Sequence, residues 1–180
     1  MMPHPLSAHP NQGGKLLGSQ GKQIVVGMGD MVVSRDPDSI LVTYSLGSCV
    51  GITVYDPVIQ VGGLLHAMLP NAEINPERAR SRPYMFVDTG LPALFHSVYS
   101  FGGFKSRLVV KLVGGAEFLD EQKLFKIGHR NVETSLHLLS RNGVPLKAQD
   151  TGGRESRTVR LHLSDGGLSI DSPGKQVARL

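Results

Sequence analysis

CVGITVYDPVIQVGGLLHAM, residues 49–68, decides the architecture. From Cys49 to Tyr55 the side chains alternate: Val50, Ile52 and Val54 share one face, and Cys49, Gly51, Thr53 and Tyr55 the other. A period of two is a strand. Asp56-Pro57 turns the chain, and Val61 to Met68 returns as a second strand stopped by Pro70. Strands joined by so short a turn pair antiparallel. A hairpin of this kind argues for a mixed or antiparallel sheet and against a doubly wound parallel one.

Working outward, short strands recur. Gln23 to Gly27 reads as one, and Ile40 to Tyr44 as another, entered from the Asp36-Pro37-Asp38-Ser39 turn. Arg107 to Val113 runs into Gly114-Gly115, and Leu146 to Gln149 follows. Arg157 to Leu163 and Leu168 to Asp171 form a second hairpin across Ser164-Asp165-Gly166-Gly167. Two helices interrupt the strands. Asp88 is placed to N-cap the first, which reaches Ser100 with Leu91, Leu94, Phe95 and Val98 at helical spacing and Pro92 in its first turn. Asn131 opens the second; Val132, Leu136 and Leu139 form its buried stripe, and Gly143 with Pro145 ends it. The polar, proline-bearing residues 71–86 read as a loop. The expected fold is α+β: a single-domain mixed or antiparallel β-sandwich with two main helices packed outside.

Residues 1–22 scatter Pro, Gly and polar side chains with too little apolar surface to offset their ordering entropy, and are expected as a tail. Residues 173–180 read the same way, which leaves one domain over residues 23–172. At 180 residues, the chain can bury roughly 70% of the surface its unfolded form exposes, with no metal or disulfide staple. One cysteine rules out an internal disulfide and a cysteine-rich zinc site. Nineteen basic against fifteen acidic side chains leave a net charge of +4, with no dense Lys/Arg block and no tryptophan. That suits an acidic protein surface better than nucleic acid. Neither a signal-peptide run nor an apolar stretch of about 18 residues occurs, so a cytoplasmic protein without direct membrane insertion is expected.

Cys49 is the only thiol. The turn Leu46-Gly47-Ser48 feeds the strand, so Cys49 stands at a strand edge where a side chain can face a cleft. A lone cysteine is ordinarily a small buried hydrophobe. This one has the backbone N–H groups around Gly47, Ser48 and itself as donors to an oxyanion, which raises a nucleophilic role; the Ser48 side chain belongs more to the turn than to the chemistry.

A nucleophilic thiol needs a base within hydrogen-bond reach. Of seven histidines, His4 and His9 lie in the tail, His96 and His137 on helices, and His129 and His162 in a loop and on a half-exposed strand. Solvated or partly packed imidazoles are the ordinary case there. His66 differs. One register of the hairpin sets it directly across from Cys49, with β-carbons about 5 Å apart, and a slip of one residue would send the two to opposite faces. The base's other ring nitrogen needs a partner. Thr43, just before the turn, can fold back and accept from it, while Asp56, Asp88 and Asp150 are rivals with structural roles of their own as turn, helix cap and turn. The glycine pairs match no Walker or dinucleotide fingerprint, and no histidine pair has metal-ligand spacing with a carboxylate. Neither cofactor nor metal is expected.

Several separated stretches carry a resemblance: Gly27-Met28-Gly29-Asp30, Thr43 through Leu46-Gly47-Ser48-Cys49-Val50, Tyr55-Asp56-Pro57, Gly62-Gly63 with His66-Ala67-Met68-Leu69-Pro70, Lys111 to Ala116, Ile127-Gly128-His129-Arg130-Asn131, and Asp150-Thr151-Gly152-Gly153. In this order and spacing they resemble the chemoreceptor glutamine deamidase family, CheD, from about Val25 to Ile170. The resemblance implies a Cys-His-Thr set, which falls on Cys49, His66 and Thr43. It implies hydrolysis of chemoreceptor glutamine side chains to glutamate with release of ammonia. It also implies a CheC-type phosphatase of the response regulator CheY as partner, and a fold like that of the cytotoxic necrotizing factor toxins. The chain departs from the family pattern in its long segment before Gln23 and in Phe86-Val87-Asp88-Thr89, where a Tyr-Ala-Asp-like run is usual. The alternative reading is a non-catalytic regulatory module that engages the phosphatase; a papain-type protease fails on size and on chain context.

Overall fold

The computed structural model describes residues 21–117 and 126–180; most of the expected N-terminal tail lies outside them. Among the described residues the strands are β1 (Lys22–Val25), β2 (Asp30–Ser34), β3 (Ser39–Leu46), β4 (Val50–Asp56), β5 (Val61–Ala67), β6 (Val109–Gly114), β7 (Leu146–Thr151), β8 (Arg157–His162), β9 (Leu168–Asp171) and β10 (Ala178–Arg179). The helices are α1 (Pro76–Ser81), α2 (Val87–Ser100) and α3 (Ile127–Arg141). The strands form two five-stranded sheets, ordered β1-β3-β8-β9-β10 and β2-β5-β4-β6-β7. Each contains one parallel pair, β1 with β3 and β6 with β7. The expected mixed α+β sandwich is what forms.

The β4–β5 hairpin lies at the centre of the second sheet, and every residue of both strands is buried. Alternation explains why. Val50, Ile52, Val54, Leu65 and Ala67 point outward into a core with Leu91, Leu94 and Val98 of α2 and Leu139 of α3. Tyr55 and Leu64 point inward, against Leu41, Leu46, Val159, Leu161 and Leu168 of the first sheet. Each such valine, leucine or isoleucine contributes about 1.5–3 kcal/mol when fully buried. Pairs of polar side chains inserted between the sheets therefore stand out, and Thr43 and His66 are such a pair.

The structure differs from the sequence expectations at several points. Residues 71–86 are not a plain loop: Asn75 caps α1 by accepting from Arg78 N at 3.0 Å, with Pro76 opening the helix. Asp88 is not the N-cap of α2; the helix starts at Val87, and the Asp88 carboxylate accepts from Ala72 N, tying the preceding segment down. Pro92 falls inside α2, past its first turn, where its missing N–H removes one helical bond. Nor does α3 begin at Asn131: it starts at Ile127, and its most buried line is Gly128, Asn131, Ser135 and Leu139, with Val132 and Leu136 flanking it half-buried. The strand β2, paired antiparallel with β5, has no counterpart among the expected strands, and residues 173–180 carry β10, paired antiparallel with β9.

Candidate active site

Thr43 reaches His66 through an irregularity in β3. Pairing with β8 shifts between Thr43 and Leu46, and Ser45 in between takes a left-handed φ of 57°. Bulges re-aim side chains and gather beside active sites. Here Thr43 is buried between the sheets while Tyr44 and Ser45 are exposed.

The Thr43 hydroxyl lies 2.7 Å from His66 Nδ1 and donates to the Val26 carbonyl, also at 2.7 Å. A carbonyl only accepts, so the single hydroxyl proton is committed to it, and the ring contact must run from Nδ1–H to Oγ1. The hydrogen-bond network thus assigns the Nδ1–H tautomer and leaves a lone pair on Nε2. Among the described residues that buried nitrogen has no hydrogen-bond partner, the Cys49 thiol included. Burial pushes the His66 pKa down to about 4, so the ring is neutral near pH 7.

Gly51, not Cys49, stands directly opposite His66. The register differs by two residues from the one that would face thiol and imidazole squarely. The turn sets it: Asp56 pairs with Val61, and Gln60 closes the loop between them at φ 51°. A shift of two keeps the face, so Cys49 and His66 remain diagonal neighbours on the side turned to the first sheet. Cys49 packs at the edge of that inter-sheet core. A Cβ on Gly51 would lie 2.8 Å from Leu46 Cδ1, so the glycine lets Leu46 cover the position across from His66. Burial pushes the Cys49 thiol up, and its own backbone N–H acts in the opposite direction. Thiol and imidazole both rest uncharged.

The Cys49 loop is held by its carbonyls. Gly47 O accepts from Ala116 N and Cys49 O from Gly115 N, each at 2.8 Å. Ser48 O accepts from Asn131 Nδ2 at 2.9 Å, and the same amide nitrogen donates to Met68 O at 3.0 Å. Gly47 is buried and the Ser48 side chain exposed. The close fit demands glycine: a Cβ on Gly114 would meet Cys49 O at 2.4 Å, and one on Gly128 would meet Ala116 O at 2.5 Å. Beside this loop a cavity of about 250 Å³ is lined by Gly115, Glu117, His129, Val132, Thr151 and Gly153, among others.

The rival carboxylates are engaged elsewhere. Asp56 sits at the far end of the hairpin and accepts from Arg107, Val58 N and Phe104 N. Asp150 pairs with Arg157 at 2.9 Å. His129 pairs with Glu133 on the exposed face of α3, and His162 contacts Ser169. Among the described residues no group of three or more His, Cys, Asp or Glu side chains could hold a metal ion, and no helix is long and apolar enough to cross a membrane.

Residues 68–172 match the family model described as CheD chemotactic sensory transduction. The chain is 44% identical over 155 residues to the probable chemoreceptor glutamine deamidase CheD of Solibacter usitatus, covering 86% of this chain and 92% of the relative. It is 41% identical over 157 residues to the CheD 1 protein of Syntrophus aciditrophicus that bears the same description, covering 87% and 98%. The corresponding protein of Pyrococcus abyssi is 48% identical over 147 residues, covering 81% and 88%. The chain belongs to the CheD family.

The family-model match begins after Cys49 and His66, but a stretch covering 86–87% of the chain takes in Thr43, Cys49 and His66 wherever it starts. In this CheD-family chain the residue that sequence reasoning misread is Asn131. Its type suggested a helix cap, yet it is fully buried inside α3. The available signal was its place on one helical line with Gly128 and Ser135, a line of small and polar residues that an ordinary core stripe would not contain.

Proposed function

We propose that this chain hydrolyses glutamine side-chain amides of chemoreceptors to glutamate and ammonia, with Cys49 as nucleophile, His66 as base and then acid, and Thr43 as the residue that orients the imidazole. The observation that carries the reading is the relay from the Val26 carbonyl through the Thr43 hydroxyl to His66 Nδ1. It leaves Nε2 unprotonated and unpartnered on the sheet face shared with the only cysteine. The names of the relatives supply the substrate class.

In this mechanism Nε2 takes the thiol proton as sulfur attacks the amide carbon, and the carbonyl π electrons move to oxygen. Collapse of the tetrahedral adduct breaks the C–N bond, and the imidazolium returns its proton to the departing ammonia. Water, deprotonated by the same nitrogen, then attacks the thioester, releasing glutamate and restoring the thiol. Because burial disfavours both ions, charge develops only during attack. We further propose that residues 23–172 are the catalytic domain, that the protein works in the cytoplasm, and that a CheC-type phosphatase binds at the mouth where the receptor docks, competing with it.

The test uses the purified chain and a chemoreceptor cytoplasmic fragment. Ammonia release should accompany a mass rise of about one dalton per glutamine. Cys49→Ala should abolish both while folding normally. Ammonia release that survives Cys49→Ala overturns the mechanism.

A further inference from the structure

We propose that Asn131 is a positioning residue that builds the oxyanion site by holding the Ser48–Cys49 peptide in one orientation; this rests on the thiol chemistry proposed above. The carbonyl and N–H of a trans peptide unit point in opposite directions, and the described chain contains no cis peptide. Asn131 Nδ2 pins the Ser48 carbonyl on the α3 side. The Cys49 N–H of that same unit must therefore point away from α3, and it acts on the Cys49 sulfur. Among the described residues, neither the Ser48 nor the Cys49 N–H donates to another backbone group. An N–H beside the attacking sulfur, with no backbone partner, is where the oxygen of a tetrahedral adduct can be received. Were this peptide to flip, the Ser48 carbonyl would occupy that place and repel the oxyanion.

Three consecutive carbonyls, of Gly47, Ser48 and Cys49, are held from outside the loop, two of them by backbone N–H groups. The middle one depends on a side chain. Both protons of the Asn131 amide are used, the second on Met68 O, two residues beyond His66. One amide thus also ties the nucleophile's loop to the strand that carries the base. Its Oδ1 is buried without a partner among the described residues, a loss that a purely structural role would not require. A leucine of similar volume would avoid that orphan but could not hold either carbonyl.

The experiment separates attack by the thiol from stabilisation of the adduct. Iodoacetamide alkylates Cys49 without forming an oxyanion. A receptor peptide with glutamate γ-semialdehyde in place of glutamine adds the thiol across its carbonyl, forming an S–C bond and moving the proton to oxygen. In Asn131→Ala, aldehyde affinity and kcat for ammonia release should each fall about 10²-fold, the effect of losing one oxyanion donor. KM should change little, and the alkylation rate should fall far less than the aldehyde affinity. Asn131→Asp, which keeps the volume and loses donors, should give the same split. Unchanged aldehyde affinity in a folded variant overturns the proposal, as does an alkylation rate that falls in step with it. A wild-type chain that releases no ammonia fails the deamidase reading alone, because the aldehyde and alkylation measurements judge Asn131 without any receptor turnover.

Discussion

The two ends of the β4–β5 hairpin are built from similar residue types and use them oppositely. At the turn end, Asp56 is fully buried and satisfied by Arg107 and two backbone N–H groups. At the other end His66 Nε2 and Asn131 Oδ1 are buried with no partner among the described residues, Ser45 is held at positive φ, and the Cys49 N–H donates to no other described backbone group. Polar groups that bond one another fix the hairpin. Polar groups kept apart from partners lower the stability of their own end and leave it able to bind something else. Burial alone does not separate the two, since Asp56 and His66 are both within about 1% of complete burial.

The comparison is most easily broken at His66. His66→Ala removes the proposed base and should lower kcat about 10²–10⁴-fold, whereas Thr43→Val, which removes only the orienting hydroxyl, should cost clearly less. Steady-state ammonia release on folded protein decides it. A fully active Thr43→Val would separate Thr43 from the site. Asp56→Asn should do the reverse: stability falls by about 2–3 kcal/mol as the charged hydrogen bonds weaken, discounted because the Arg107 side chain is 34% exposed, while kcat per folded molecule stays level. Urea midpoints beside activity measure both.

The pH dependence sharpens the contrast further. In the unfolded chain His66 takes a proton at its ordinary value of 6.5, but in the folded chain only near 4. Between those values the unfolded state binds the extra proton, so the stability is fully present above the upper value and is lost as pH falls toward the lower, up to about 3 kcal/mol. Asp56 behaves differently. Burial raises its pKa, but Arg107 and the backbone N–H groups of Val58 and Phe104 outweigh that and leave it lowered. Its contribution is therefore lost only below the ordinary carboxylate range. Denaturation midpoints across pH should show two windows, and His66→Ala should flatten the upper one.

Much of this end of the molecule was legible because strand parity is robust. The alternation from Cys49 to Tyr55 divides the side chains into the two faces that the structure turns toward the helices and toward the first sheet. His66 is singled out by its place across the hairpin from Cys49, and Thr43 by its place just before the Leu46-Gly47-Ser48 turn. Register was not legible, since it hangs on Gln60 adopting a left-handed turn, which nothing about glutamine announces. Asn131 was hidden by a sound rule, that asparagine favours caps, overridden by Gly128 packing against Gly115 and Ala116, which lets α3 start earlier and carries Asn131 inward. Residues 71–86 depart from the expected loop because a proline breaks a helix in its interior but opens one at its first position, as Asn75-Pro76 does here.

The hydroxyl of Thr43 stands where many hydrolases place a carboxylate, so the resting relay through His66 contains no permanent ion. Dissolved salt has nothing there to screen. Added electrolyte should then leave the turnover of bound receptor almost untouched and act only on encounter, through the chain's net charge of +4. Ionic strength thereby becomes a means of separating docking from bond breaking in a single protein.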